Sequence, residues 1–107
     1  MTKDTKTTGR FNKEQEILEF SNPTTVINRA HKYYGKDTQI KVSTRKDKKY
    51  MILDPNTNKW VHFGQMGYED FTKHKDPVRR EKFKNRNSDW ADRYKYNPGY
   101  LSYHLLW

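Results

Sequence analysis

Three short apolar segments between residues 39 and 64 restrict the fold of this chain more than any other feature. Ile40 and Val42 alternate with polar residues, and the segments KYMIL and KWVHF follow them. The polar runs Arg45–Lys48 and Asp54–Asn58 separate the segments, and both have the composition of turns. Three strands joined by short turns predict an antiparallel meander, whose apolar face needs a cover.

A helix at residues 23–34 is the nearest candidate for that cover. Asn22 and Pro23 supply an N-cap and a first-turn proline, and apolar residues then recur at helical spacing. Gly35 stands where such a helix would end. A short helix is also predicted over Lys13–Phe20, where the apolar spacing matches the helical period less well.

The second half of the chain predicts two or three short helices. A helix or turn is expected at 68–73, a helix at 77–85 after an Asp-Pro cap, and a third helix from Ser88 that holds Trp90 and Tyr94. The predicted fold class is therefore α+β. It is a small three-stranded antiparallel β-meander with a preceding helix, two or three short C-terminal helices and extended termini.

Chain length and composition favour one small domain. The 107 residues suffice for one core, and aromatic residues make up 15% of them. Each aromatic side chain buries about 150–250 Å², so a core of Trp, Tyr and Phe offsets the low content of aliphatic residues. We expect an extended or partner-ordered arm at residues 1–10, a single α+β domain at 11–96 and an aromatic docking tail at 97–107.

The tail is unusual because a free end is ordinarily polar, whereas this one reads Leu-Leu-Trp. Two arrangements hide its apolar side chains. The tail folds back onto the sheet of its own chain, or it docks into a neighbouring subunit. In the second arrangement the partner-docking residues are Tyr100, Leu101, Tyr103, Leu105, Leu106 and Trp107.

The charge of +9 is unevenly distributed. Residues 71–95 carry nine Lys and Arg against four acids, whereas residues 51–70 are net negative. Such a basic segment favours an anionic partner, either nucleic acid, an acidic protein surface or a lipid headgroup. The alternative is a solvated face that keeps the chain soluble. The candidate anion contacts are Lys73, Lys75, Arg79, Arg80, Lys82, Lys84 and Arg86.

The sequence contains no catalytic signature. A P-loop, a Gly-x-Ser-x-Gly elbow and cysteine are absent. His62 and His74, with Asp70 nearby, invite comparison with ββα-metal nucleases, but the match is poor. The adjacent Glu69 and Asp70 more simply neutralise the basic helix or favour a helix N-terminus. We therefore assign no catalytic residue, metal ligand or cofactor and expect no small-molecule substrate.

The sequence also bears on compartment. No apolar run approaches the ~20 residues of a membrane span, and the polar start MTKDTKTTGR does not resemble a signal peptide. The absence of cysteine fits a reducing compartment. We expect a soluble protein without a membrane span that is made in the cytoplasm or nucleus.

The order KKYMILDPNTNKWVHFG, then GYEDFTKHKDPVRREKF, then Trp90 and a terminal LLW resembles a family of small basic proteins of nucleocytoplasmic large DNA viruses, the giant viruses. The resemblance covers residues 36–107. It implies a viral setting and no particular reaction. The chain departs from the family pattern near residues 85–88, where a stretch containing histidine is more usual.

The leading hypothesis is a non-enzymatic viral structural protein. As a minor capsid or other virion component, it would dock on capsid proteins or other virion subunits through its basic faces and aromatic tail. The alternative is a nonspecific nucleic-acid-binding protein associated with the viral genome, with DNA as its partner. A metal-dependent, nuclease-like enzyme is the third hypothesis.

Overall fold

The computed structural model describes residues 12–107, so the arm predicted at residues 1–10 lies outside the described part. Residues 12–17 are helical and are termed α1. The following elements, in chain order, are α2 (Pro23–Tyr34), β1 (Ile40–Val42), β2 (Lys48–Asp54), β3 (Lys59–Gln65), α3 (Phe71–His74), α4 (Pro77–Arg86), a 3₁₀ helix (Ser88–Asp92), α5 (Pro98–Leu101) and a π-helical turn (Ser102–Leu106).

The three strands form one antiparallel sheet in the order β1-β2-β3. Val42 pairs with Tyr50, and Tyr50 pairs with Phe63. The side chains of Tyr50, Ile52 and Phe63 are fully buried on the face that carries the core. The predicted α+β class, with a meander, a preceding helix and C-terminal helices, is confirmed.

Helix α2 covers part of this face, as predicted. The Asn22 side chain accepts a hydrogen bond from the Thr25 amide at 3.3 Å, and Pro23 begins the helix. Only Val26 and Ala30 are buried on α2. Two small side chains cannot cover a three-stranded sheet, so further apolar residues must complete the core.

The C-terminal tail supplies them, which corrects the prediction of an extended docking tail at residues 97–107. Leu101 and Leu105 are fully buried, and Leu106 is 2% exposed, in the same cluster as Tyr50 and Phe63. The tail therefore belongs to the domain and does not start a separate segment after residue 96. These leucines are not available to a neighbouring subunit because they already cover the sheet of their own chain.

Gly64 shows how closely the tail approaches β3. Its φ is 82°, a conformation that favours glycine. A Cβ atom at this position would lie 2.8 Å from Leu106 Cδ1. Glycine at this position therefore allows both the positive φ within β3 and the close contact between β3 and the tail.

The remaining element boundaries differ from the predictions in small ways. The predicted helix Lys13–Phe20 is helical only to residue 17, and residues 18–20 form a turn. The helix predicted from Ser88 is a 3₁₀ helix that contains Trp90 but ends at Asp92, so Tyr94 lies outside it. Residues 68–73 hold only the start of α3, which runs to His74.

The buried tail predicts a large loss of stability on truncating one leucine. We expect Leu105→Ala to lower the free energy of unfolding by about 2–5 kcal/mol, because the cavity it leaves adds to the lost burial. Urea denaturation measures this change. Leu18→Ala is the matched control, since Leu18 is 47% exposed. Equal losses in the two variants would contradict the packing described here.

Candidate functional site

A buried ion pair anchors the region that follows the sheet. Lys49 Nζ donates to Asp70 Oδ2 at 3.0 Å and to the Tyr68 carbonyl oxygen at 2.6 Å. The side chains of Lys49 and Asp70 are 2% and 1% exposed. Burial lowers the pKa of the Lys49 ammonium, and the Asp70 carboxylate opposes that shift. The pair thus fixes β2 against the segment that leads into α3.

Asp70 also caps α3 and joins it to the core. Its Oδ1 accepts from the Thr72 amide at 3.0 Å and from the Thr72 hydroxyl. Thr72 Oγ1 lies 3.2 Å from Ser21 Oγ, which accepts from the Tyr50 hydroxyl at 2.7 Å. A continuous chain of hydrogen bonds therefore runs from the sheet to α3, and every member is satisfied.

Helix α4 follows directly and packs on the domain through few contacts. Asp76 Oδ1 accepts from the Val78 and Arg79 amides at 2.9 and 3.3 Å. No residue of α4 is buried. The Phe83 ring stacks on the Trp107 ring, with their centroids 4.2 Å apart and their planes 6° from parallel. The Phe83 ring is thus the main apolar contact that holds this helix on the domain.

A groove of about 690 Å³ lies between the end of the sheet, α4 and the C-terminal elements. Among residues 12–107, five basic side chains and one acidic side chain, that of Glu69, line it. The basic residues are Lys48, Lys49, Arg79, Arg86 and Arg93, and the aromatic residues are Tyr68, Phe83, Trp90 and Trp107. A concave surface of this chemistry suits an anionic ligand that also has flat apolar parts.

The seven predicted anion contacts divide into three groups. Arg79 and Arg86 line the groove. Arg80 and Lys84 are used within the chain: Arg80 Nε donates to the Trp107 carbonyl oxygen at 2.7 Å, and Lys84 Nζ lies 4.5 Å from the centre of the Tyr103 ring. The third group has exposed side chains whose ammonium groups make no hydrogen bond or ion pair with the described residues; it consists of Lys73, Lys75 and Lys82.

The tail residues predicted to dock have internal roles instead. The three leucines lie in the core, and Leu106 and Trp107 also line the groove. Tyr100 and Tyr103 are half-buried and both contact the His104 ring. The basic surface and the tail, which the sequence predicts as two separate surfaces, therefore meet in one groove.

Sequence reasoning missed Lys48 and Arg93 as members of this site. Arg93 belongs to the basic segment 71–95, so its charge was already a signal. Lys48 belongs to another basic stretch, residues 31–50, which carries seven Lys and Arg against two acids. It lies in a predicted turn far from α4 in sequence, so this charge did not connect it with that helix. Only the folded sheet brings it to the groove.

Glu69, Asp70 and His62 make contacts within the chain. Glu69 pairs with Arg79 at 3.3 Å and Asp70 caps α3, which confirms the reading of this acidic pair. His62 Nδ1 lies 2.6 Å from the Ser43 hydroxyl oxygen. Among residues 12–107 there is no cluster of three or more His, Asp or Glu side chains able to hold a metal ion. Nor is any helix in that range long and apolar enough to cross a membrane.

We expect a large loss of stability when the buried ion pair is broken. Asp70→Asn keeps an acceptor for the cap of α3 but leaves the Lys49 charge buried without a counterion. We expect a loss of about 3–5 kcal/mol in the free energy of unfolding, measured by urea denaturation. The double variant Lys49→Met/Asp70→Asn should lose less than the sum of the two single variants, and strict additivity would contradict coupling between them.

His74 predicts a pH dependence of stability. Burial and the nearby Arg79 lower its pKa below the ordinary value of 6.5. The unfolded chain then binds more protons than the folded chain at mildly acidic pH, so stability falls as pH drops from about 7.5 to 5.5. His74→Asn keeps an acceptor for the Asp76 amide but does not titrate. The urea midpoint of this variant should fall less over this pH range than that of the wild type. An equal fall in the two proteins would contradict the role of His74 in the pH dependence.

The profile of a family of unknown function (DUF5754) matches residues 38–87. The matched segment includes all three strands, α3 and α4. It spans just under half of the chain. No curated protein and no solved structure matches the chain. The segment 38–87 is therefore similar to a family whose description states no activity.

Proposed function

We propose that this chain is a non-enzymatic protein that binds nucleic acid without sequence specificity, through phosphate contacts on α4 and the groove beside it. The observation that carries the proposal is the exposed basic surface of α4. The helix has no buried residue, and five of its ten residues are Lys or Arg. A surface of this kind neutralises phosphates and releases their counterions.

The charge of this surface is only partly balanced within the chain. Arg79 is the member of α4 that forms an ion pair with a described residue, Glu69, and this pair is largely exposed. Exposed pairs contribute little, so a phosphate can replace Glu69 as the partner of Arg79 at small cost. Lys73 and Lys75 extend the same basic surface to the end of α3.

The packing of the tail weighs against the leading hypothesis of a virion component that docks through residues 97–107. Its three leucines already lie in the core, so docking would require the fold to open. The viral setting implied by the resemblance stays a prediction. A protein associated with the viral genome fits that setting equally well and uses a surface that is exposed.

The nuclease hypothesis receives less support than binding. Asp70, one of its acids, is 1% exposed and paired with Lys49. His62 is hydrogen-bonded to Ser43. Burial lowers the pKa of His62, and the positive charges of Arg45 and Lys13 lower it further. A divalent cation would meet repulsion at this histidine.

Removing the unpaired lysines tests the proposal. The variant Lys73→Gln/Lys75→Gln/Lys82→Gln should weaken binding to both a duplex and a single strand. If each lysine meets one phosphate, the slope of log K against log salt for the duplex should fall by about 2.7. Fluorescence anisotropy at several salt concentrations measures both quantities.

The matched control removes the same charge elsewhere. Lys32, Lys36 and Lys59 are exposed and lie outside both α4 and the groove. The triple glutamine variant at these positions should keep a slope close to that of the wild type. An equal loss in the two variants, or binding that does not respond to salt, would contradict the proposal.

A further inference from the structure

We infer that the groove holds unpaired nucleotides, so that the protein prefers single-stranded nucleic acid to a duplex; this inference rests on the proposed function. The juxtaposition that supports it is a set of aromatic rings and free cations in one concavity. The exposed surface of α4 alone would suit either form of nucleic acid.

The size and lining of the groove distinguish the two forms. Its volume of about 690 Å³ lies within the range of small-ligand sites, so it can take a base with its sugar. The faces of paired bases are covered by their neighbours in a duplex, whereas an unpaired base can leave the strand and stack on a side chain. Rings inside a groove therefore contribute only to the binding of a single strand.

Tyr68 is the ring most available for stacking. It lines the groove and is 71% exposed, although large aromatic residues of a folded domain are mostly covered. Its backbone is nonetheless fixed, because Lys49 Nζ donates to its carbonyl oxygen at 2.6 Å. An anchored backbone that carries an exposed ring provides a stacking surface without ordering a loop on binding.

Trp90 provides a second ring in a defined orientation. A Cβ atom at Gly99 would lie 3.0 Å from the Trp90 ring, so the backbone of α5 packs closely against it. The Phe83 ring meets Trp90 edge-on at 5.8 Å. These contacts hold the indole in place while it still lines the groove.

The cations of the groove differ in availability. Arg79 is paired with Glu69, and Arg93 with Asp89 at 2.9 Å. Lys48 and Arg86 also line the groove, and neither forms an ion pair with a residue in the range 12–107. We assign these two side chains to the phosphates that flank a stacked base.

Substitution of Tyr68 tests the inference. The probes are labelled oligo(dT) and oligo(U) of about 12 nucleotides, within the usual site size, and a DNA duplex of the same length. The wild type should bind a single strand more tightly than the duplex at equal salt. Tyr68→Ala should weaken single-strand binding by about 5- to 150-fold, the equivalent of losing one stacked base, and should weaken duplex binding much less.

Two controls accompany this variant. Tyr68→Phe keeps the ring and should keep the affinity for single strands. Tyr33→Ala removes another exposed tyrosine, 62% exposed, that does not line the groove, and should have no effect. Quenching of tryptophan fluorescence in a Trp60→Phe background gives an independent readout, because Trp90 and Trp107 line the groove and should be quenched by a single strand only.

The outcomes separate the inference from the proposed function. Equal or tighter binding of the duplex, or the same affinity for Tyr68→Ala and Tyr33→Ala, overturns the inference, while salt-dependent binding through α4 stands. Absence of binding to every probe overturns both. Tight binding of oligo(dT) with weak binding of oligo(U), or the reverse, supports the inference and identifies the strand as DNA or RNA.

Discussion

The ion pair between Lys49 and Asp70 lies where the sheet, the turn after α1 and the entry to α3 meet, and the arrangement of the second half of the chain depends on it. Burying two charges is costly unless each is paired and hydrogen-bonded. Here the ammonium also reaches the Tyr68 carbonyl oxygen, and the carboxylate also caps α3. Because both charges are paired and hydrogen-bonded, this arrangement of the ion pair is much more stable than similar arrangements that lack one of these bonds. It therefore sets the direction in which α3 and α4 leave the sheet and the position of one wall of the groove.

A shortage of apolar residues determines the rest of the architecture. Apolar residues make up only 32% of the chain. Helix α2 buries only two small side chains against the sheet. The C-terminal leucines complete this core, and Gly64 allows Leu106 to approach β3. The tail thereby brings Trp107 beside Phe83. The same C-terminal segment thus completes the core and attaches α4.

The elements whose signals are local were predictable from the sequence. The turns of the meander, the Asn-Pro start of α2 and the Asp-Pro start of α4 are each encoded within a few residues. The burial of Lys49 was not predictable, because its partner Asp70 is distant in sequence and a lysine in a basic strand is ordinarily exposed. The groove has the same origin, since Lys48, Tyr68 and Arg93 meet only in the folded chain. From the sequence, the tail could either fold back onto its own sheet or dock into a neighbouring subunit. The choice depends on long-range packing, which no local sequence signal shows.

The stacking of Phe83 on Trp107 connects stability with the proposed binding. Helix α4 has no buried residue, so this stack and the bond from Arg80 to the Trp107 carbonyl oxygen hold much of it against the domain. Loosening the tail would therefore displace α4 and remove one side of the groove. A ligand in the groove contacts both sides at once and binds the folded state alone. Such a ligand would stabilise the attachment of α4 by mass action, because it binds only when both sides of the groove are in place.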